Sequence, residues 1–151
     1  MARIIVLDSG PLGLACQGPN KPEVRTITRW RIRAWANGAL LVIPEIADYE
    51  VRRELLRAGA MAGVRRLDAL RDELAYAPIT TEAMRKAAEL WAGARRRGVP
   101  TASDDRLDAD AIVAAQALLY VGHGDDLTVA TDNVRHLSRF LDAQPWEAIT
   151  P

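Results

Sequence analysis

Sulfur chemistry has almost nothing to work with in this sequence. The 151 residues include one cysteine, Cys16, so neither a disulfide framework nor a cysteine-based zinc site can be built. Cys16 reads instead as a small buried hydrophobe. Histidine is nearly as scarce: His123 and His136 are too few for a histidine-rich metal centre. Net charge is missing as well, because 20 Lys and Arg balance 20 Asp and Glu. A bulk electrostatic hold on nucleic acid is therefore not implied, though local patches are allowed. No apolar run approaches the roughly 18 residues of a membrane span. The opening MARIIVLDSG lacks both a long apolar core and a small-residue cleavage site. No P-loop pattern occurs. These absences predict a soluble, cytoplasmic protein.

What is present is enough apolar material, 49% of residues, for the core of one compact domain spanning residues 1–151. Short apolar runs bounded by turn residues predict buried strands at Ile4 to Leu7, Leu40 to Pro44 and Asp126 to Ala130. AYAPI reads as a weak strand and PWEAITP as a last edge strand. Between them lie helical patterns. EVRTITRWRIRAWANGA carries Val24, Ile27, Trp30 or Ile32, and Trp35 at helical spacing and closes on Asn37 and Gly38. EIADYEVRRELLRAG ends at Gly59, and MAGVRRLDALRDEL has the stripe Val64, Leu67, Leu70, Leu74. TTEAMRKAAELWAGARRRG ends at Gly98. VPTASDD is a loop, with Asp104 and Asp105 as capping residues, and RLDADAIVAAQALLYVG closes at Gly122. TDNVRHLSRFL begins a further helical turn. Strands alternating with helices predict an α/β fold of three layers, with a mostly parallel central sheet of four to five strands.

In such a sheet, functional groups collect beyond the carboxyl ends of the strands. Asp8 follows the first strand directly and Asp132 follows the late one, equivalent positions far apart in sequence. Glu50 lies in the helix after the second strand, and Asp110 early in the helix before Asp126 to Ala130. Four acids can thus converge on one cleft. Packed carboxylates repel and resist ionisation when buried, a cost that a divalent cation reverses. Oxygen ligands without sulfur suit Mg²⁺ or Mn²⁺, and such ions serve phosphodiester hydrolysis. Plainer readings exist for each residue. An acid after a strand also serves as a helix cap, and Glu50 sits among Glu45, Asp48, Arg52, Arg53 and Glu54 on what reads as a solvated face. Asp110 aligns with Ala114 and Ala117, but Asp108 aligns equally with Ile112 and Ala115, so periodicity does not choose between them.

The ordered set IIVLDSGPL, VIPEIADYEVRREL, DADAIVAAQAL and LTVATDNVRHLSRF resembles the PIN-domain family, in particular the small toxin ribonucleases of VapBC-type toxin–antitoxin pairs. Each stretch alone is weak; the four in order, with matching spacing, are fairly specific and run from Ile4 to about Ile149. The resemblance implies an endoribonuclease dependent on Mg²⁺ or Mn²⁺, with Asp8, Glu50, Asp110 and Asp132 holding the metal. Ser9, Thr131, Asp108 and Asn133 would orient carboxylates or water, although Ser9 and Thr131 are equally natural helix caps. It also implies a homodimer, an RNA substrate and a cognate antitoxin, for which Trp30 and Trp35 are candidate surfaces unless they serve the core.

The chain departs from the family pattern in three places. Gly10 stands where a small polar residue is common, Leu137 stands where an aromatic is common, and Asp132 and Asn133 compete for the fourth acidic position. The basic segments RWRIR and Arg95 to Arg97 could meet a phosphate backbone or simply be solvated helix surface. A different class of function remains open, a PIN-like module that binds or regulates without cutting. A haloacid-dehalogenase-type phosphatase would want an acid at Gly10, and a phospho-receiver would want a lysine soon after Ala130; neither is there.

Overall fold

The computed structural model describes residues 1–98 and 104–151, with side chains in the last segment from Arg106 onward. Of the loop expected over 99–105, residues 99–103 fall outside the described residues and residues 104 and 105 already belong to a helix rather than the loop; the side chains of Asp104 and Asp105, and with them the expected capping role, also fall outside. Strands β1 (Arg3–Leu7), β2 (Ala39–Pro44), β3 (Ala75–Ala77), β4 (Asp126–Ala130) and β5 (Ala143–Gln144) form one sheet in the order β3-β2-β1-β4-β5. Every pairing is parallel, with Ile4 level with Leu40 on one side and with Leu127 on the other. Chain connection reverses direction at β1, so the gap beyond its carboxyl end is a topological switch point.

Alternation along the strands builds two cores. Ile5, Leu7, Leu41 and Ile43 face one side, against α1 (Ser9–Ala15), α2 (Pro22–Ala36) and α4 (Met61–Glu73). Ile4, Val6, Val42 and Val129 face the other, against α6 (Asp104–Tyr120) and α7 (Val134–Leu137). Both faces being covered is why the strands read as continuous apolar runs rather than alternating ones. Helix α3 (Glu45–Arg57) sits at the edge of both layers, placing Ala47 and Val51 in the first core and Ile46 against the second. Helix α5 (Thr81–Arg96), capped by Thr80 through its bond from Ala83 N at 3.0 Å, packs Ala87 onto Ala111 and Ala115 of α6.

Several expectations are resolved by burial. Trp30 lies in the core, its indole donating to Ile149 O at 2.8 Å and its ring 5.7 Å from that of Trp146. Trp35 is 70% exposed and Ile32 is exposed beside it, while Ala34 takes the buried place in the α2 stripe. Cys16 is buried and unpaired, and burial pushes its thiol up to about 11. Leu137 only packs, fully buried in the second core. The last edge strand is not PWEAITP: Pro145 has no N–H to give a ladder, so pairing stops at Gln144 and Trp146–Ala148 turn into a short 3-10 helix. No helix among the described residues is long and apolar enough to cross a membrane.

One buried amide ties together the elements that carry the acids. Gln116 of α6 accepts from Ile46 N at 3.2 Å and donates to Ala77 O at 2.7 Å. It thereby fixes α6 against the start of α3 and the end of β3. Replacing it with the similarly shaped Met strands both backbone groups. Gln116→Met is expected to lower unfolding stability by about 2–4 kcal/mol in chemical denaturation, whereas Leu119→Ala on the exposed side of the same helix should cost under about 1 kcal/mol.

Candidate functional site

The switch point is held by a chain of hydrogen bonds that starts where β1 stops. Asp8 leaves the strand with an extended backbone and caps α1, its Oδ1 accepting from Ser9 N at 2.8 Å. Its own N–H donates to Ala130 O at 2.9 Å, which carries the pairing with β4 one residue further. Thr131, fully buried, then donates through its hydroxyl to Asp8 Oδ2 at 2.7 Å. The same hydroxyl accepts from Asn133 N at 2.8 Å. That bend aims the Asn133 amide at α6, where Nδ2 donates to both oxygens of Asp110 at 3.0 and 3.2 Å. Asp8 and Asp110 are thus linked through neutral donors only.

These residues form one wall of a cavity of about 660 Å³ beyond the carboxyl edge of the sheet. Asp8, Glu50, Asp108, Asp110 and Asp132 all line it, with Ser9 and Asn133. The ambiguity between Asp108 and Asp110 disappears: Asp110 is buried and held by Asn133, while Asp108 is exposed at the cavity margin. Ser9 contributes its backbone N–H to Asp8. The expected solvated face of α3 is in fact divided. Asp48 is buried in ion pairs with Arg52 at 2.8 Å, which also holds Asp68 of α4. Glu45 accepts from Ile79 N at 2.7 Å. Glu50 alone of the three turns into the cavity.

Gly10 has a role that sequence placed elsewhere. Its backbone is ordinary, yet a Cβ built there would lie 2.1 Å from Asp132 Oδ2 and 2.7 Å from Cγ. The small residue therefore makes room for the Asp132 carboxylate over the first turn of α1, rather than merely omitting a polar group. Asp132 and Asn133 both line the cavity, and the Asn133 amide also bonds Asp110.

Crowding marks the electrostatics. Burial raises the carboxyl of Asp8 above its ordinary range, against the lowering effect of Thr131 and Ser9. Burial and then the charge of Asp8 raise Glu50, offset in part by Arg53. Asp110 is pushed up to about 6, chiefly by burial, with the Asn133 bonds acting the other way. An all-oxygen donor set strained by its own charge is what a hard divalent cation relieves, so the residues fit Mg²⁺ or Mn²⁺ in kind. As the side chains stand they line the cavity rather than meet at a point: among the described residues, no three carboxylate, imidazole or thiol groups are gathered to hold an ion.

Sequence reasoning overlooked the rest of the lining. Neither RWRIR nor Arg95 to Arg97 lines the cavity; Arg31 instead pairs with Glu73 at 2.8 Å. The basic residues that do line it are Arg53 and Arg106, with Tyr49. Helical spacing held that signal, since Arg53 is three residues after Glu50 and Arg106 four before Asp110. Behind Asp110, His136 Nδ1 lies 3.7 Å from Oδ2, buried and without a hydrogen bond. Burial and the neighbouring arginines lower its pKa, so it brings no positive charge to that carboxylate at neutral pH.

The raised carboxyl of Asp110 has a measurable consequence. Its folded-state pKa exceeds the unfolded one, so the folded protein holds the proton more tightly and stability falls as pH rises. Without divalent ions, the unfolding free energy should decline by about 1–2 kcal/mol from this group between pH 4 and pH 6. In Asp110→Asn that part of the decline should vanish in thermal melts across the same range.

Comparison with known proteins agrees with this architecture. The PIN domain model matches residues 20–133, a stretch that includes Glu50, Asp110 and Asn133 but begins after Asp8. No curated protein matches the chain. Among solved structures, the fold is similar to a chain of VapBC2 from Rickettsia felis bound to a promoter DNA fragment, with TM-score 0.67 and 14% identity over 95% of this chain and 98% of that one. DNA-bound VapBC from Salmonella typhimurium gives 0.61 and 22% over 97% and 99%. VapBC-1 from nontypeable Haemophilus influenzae gives 0.64 and 18% over 95% and 98%. With a family match over most of its length and the expected parallel central sheet, the chain belongs to the PIN domain family.

Proposed function

We propose that the chain is a VapC-type toxin, a Mg²⁺- or Mn²⁺-dependent endoribonuclease formed by residues 1–151 as one domain. One observation carries the reading: Asp8 and Asp132, just beyond the ends of β1 and β4, and Glu50 and Asp110, on α3 and α6, line one cavity at the switch point, and among the described residues the hydrogen bonds to Asp8 and Asp110 come from neutral donors. A buried carboxylate such as Asp8 is costly unless something neutralises it, and the charges of Arg139 and Arg106 offset the burial of Asp110 only in part.

In this reading Asp8, Glu50, Asp110 and Asp132 would hold the ion. A bound divalent cation supplies neutralisation of the phosphodiester and a lowered pKa for the attacking water. The chain's own residues do the rest. Thr131 and Ser9 N fix both oxygens of Asp8, so its orientation is set before substrate arrives. Asn133 does the same for Asp110. Gly10 leaves Asp132 its place. Asp108 stands at the margin, within reach of water rather than of the buried pair. No nucleophile from the protein is required, and Cys16, buried in the opposite core, takes no part.

The three similar structures are all VapBC, which supports an antitoxin as partner for this chain. Homodimer formation and a cytoplasmic setting belong to the same proposal. The exposed Trp35 and Ile32 on α2 offer a surface for such contacts.

Cleavage of single-stranded RNA is expected with Mn²⁺ or Mg²⁺ and lost with a chelator. Asp8→Asn and Asp110→Asn should each reduce it by about 100-fold or more while melting cooperatively. If the wild-type protein cuts no RNA with either ion, and both variants match it, the enzyme reading fails and the binding-module alternative takes its place. Gly10→Ala should keep the fold, because the displaced Asp132 side chain is exposed, yet weaken Mn²⁺ binding measured by calorimetry at least several-fold.

A further inference from the structure

The cavity has a rim as well as an acidic floor. Tyr49 is 55% exposed, which a ring serving the core would not be. It lines the cavity beside Glu50, its neighbour in sequence. The Arg53 guanidinium, one turn further along α3, lies over the ring at 5.2 Å from its centroid. That places an arginine and an aromatic face together, with Arg53 also 3.9 Å from Glu50. Arg106 lines the same cavity from α6. Two cations and an open ring therefore border a floor of four carboxylates, with Asp108 at the margin.

We propose that Tyr49, backed by Arg53, is a stacking platform for a base of single-stranded RNA next to the phosphate that enters the acidic cavity, with Arg106 contacting the backbone of the same strand. The proposal rests on the nuclease reading for the direction of the strand. It answers a difficulty that reading leaves open. The chain is neutral overall and its cavity floor repels a polyanion, so attraction must come from the border. Stacking is blind to net charge, contributes about 1–3 kcal/mol per base and accepts any base. It also selects for single strands, because a base inside a duplex is already stacked on its neighbours. A protein partner for the ring is the rival occupant. The two arginines beside the acidic cavity favour the nucleic acid, since they complement a backbone that runs past the ring.

The test uses fluorescence anisotropy with a labelled 12-nucleotide oligo(A) and a blunt RNA duplex, all in the Asp110→Asn background so that the strand stays whole. Tyr49→Ala should weaken single-strand binding about tenfold or more and leave duplex binding unchanged. Tyr49→Phe and Tyr49→Trp should restore it to within about twofold, which a loss of folding would not allow. Arg53→Ala should weaken binding and reduce the slope of log affinity against log salt by about 1. Unchanged single-strand affinity in Tyr49→Ala overturns the platform and leaves the ring to a protein partner; equal weakening of strand and duplex overturns it too. Cleavage by the protein with Asp110 intact separates the two ideas. If it cuts RNA, and Tyr49→Ala does so with the same KM, the platform falls and the nuclease stands. If it cuts nothing while Tyr49 still governs binding, the nuclease falls and the platform stands.

Discussion

The bond between Thr131 and Asp8 is the constraint on which the site depends. It joins the ends of the two central strands at 2.7 Å, in a place with no exposure at Thr131. Everything else at the switch point is arranged around it. The Thr131 hydroxyl can give only one proton, and giving it to Asp8 leaves its lone pairs for Asn133 N. That second bond turns the chain so that Asn133 reaches Asp110. One hydroxyl thus sets the positions of two acids drawn from opposite ends of the sequence. Because the whole relay is neutral apart from the carboxylates, it orients charge without cancelling it.

The two faces of the sheet supply the rigidity that this arrangement needs. Asp8 follows strand residues buried on both sides, and Asp110 continues the small-residue line of α6 that packs under Ala114 and Ala117. Gln116 fastens that helix to the backbone of α3 and β3. Glu50 and Asp132 are held less tightly, one on a half-buried helix turn and the other against Gly10. The floor therefore combines two acids fixed by hydrogen bonds with two that are held less firmly.

Much of this was legible in the sequence. The apolar runs located the three longer strands, and Asp8 directly after one and Asp132 after another, with Thr131 between, pointed to the switch point. What was hidden followed from competition among similar residues. Asp108 and Asp110 share helical periodicity, and only packing against Asn133 separates them. On α3, Glu45, Asp48 and Glu50 look alike in the sequence, but Arg52 and Asp68 draw Asp48 into a buried network while Glu45 is taken by Ile79 N. The apolar residues of PWEAITP suit an edge strand, but Pro145 has no N–H for a ladder and ends the pairing at Gln144. Gly10 was read by what it lacks, whereas its meaning is the volume it leaves for Asp132. The basic rim rests on single arginines from two different helices, Arg53 and Arg106, so no run of basic residues marks it in the sequence.

The strand order has a further consequence in time. β1 is made first, but one of its two partners is β4, and the Thr131 that fixes Asp8 comes 123 residues later. A ribosome emits the chain from the amino end, so the nascent polypeptide carries Asp8, Glu50 and even Asp110 into the cell without the strand that brings them together. The acidic cavity therefore cannot take its final form until residue 131 has left the ribosome, because before then nothing holds the Oδ2 oxygen of Asp8.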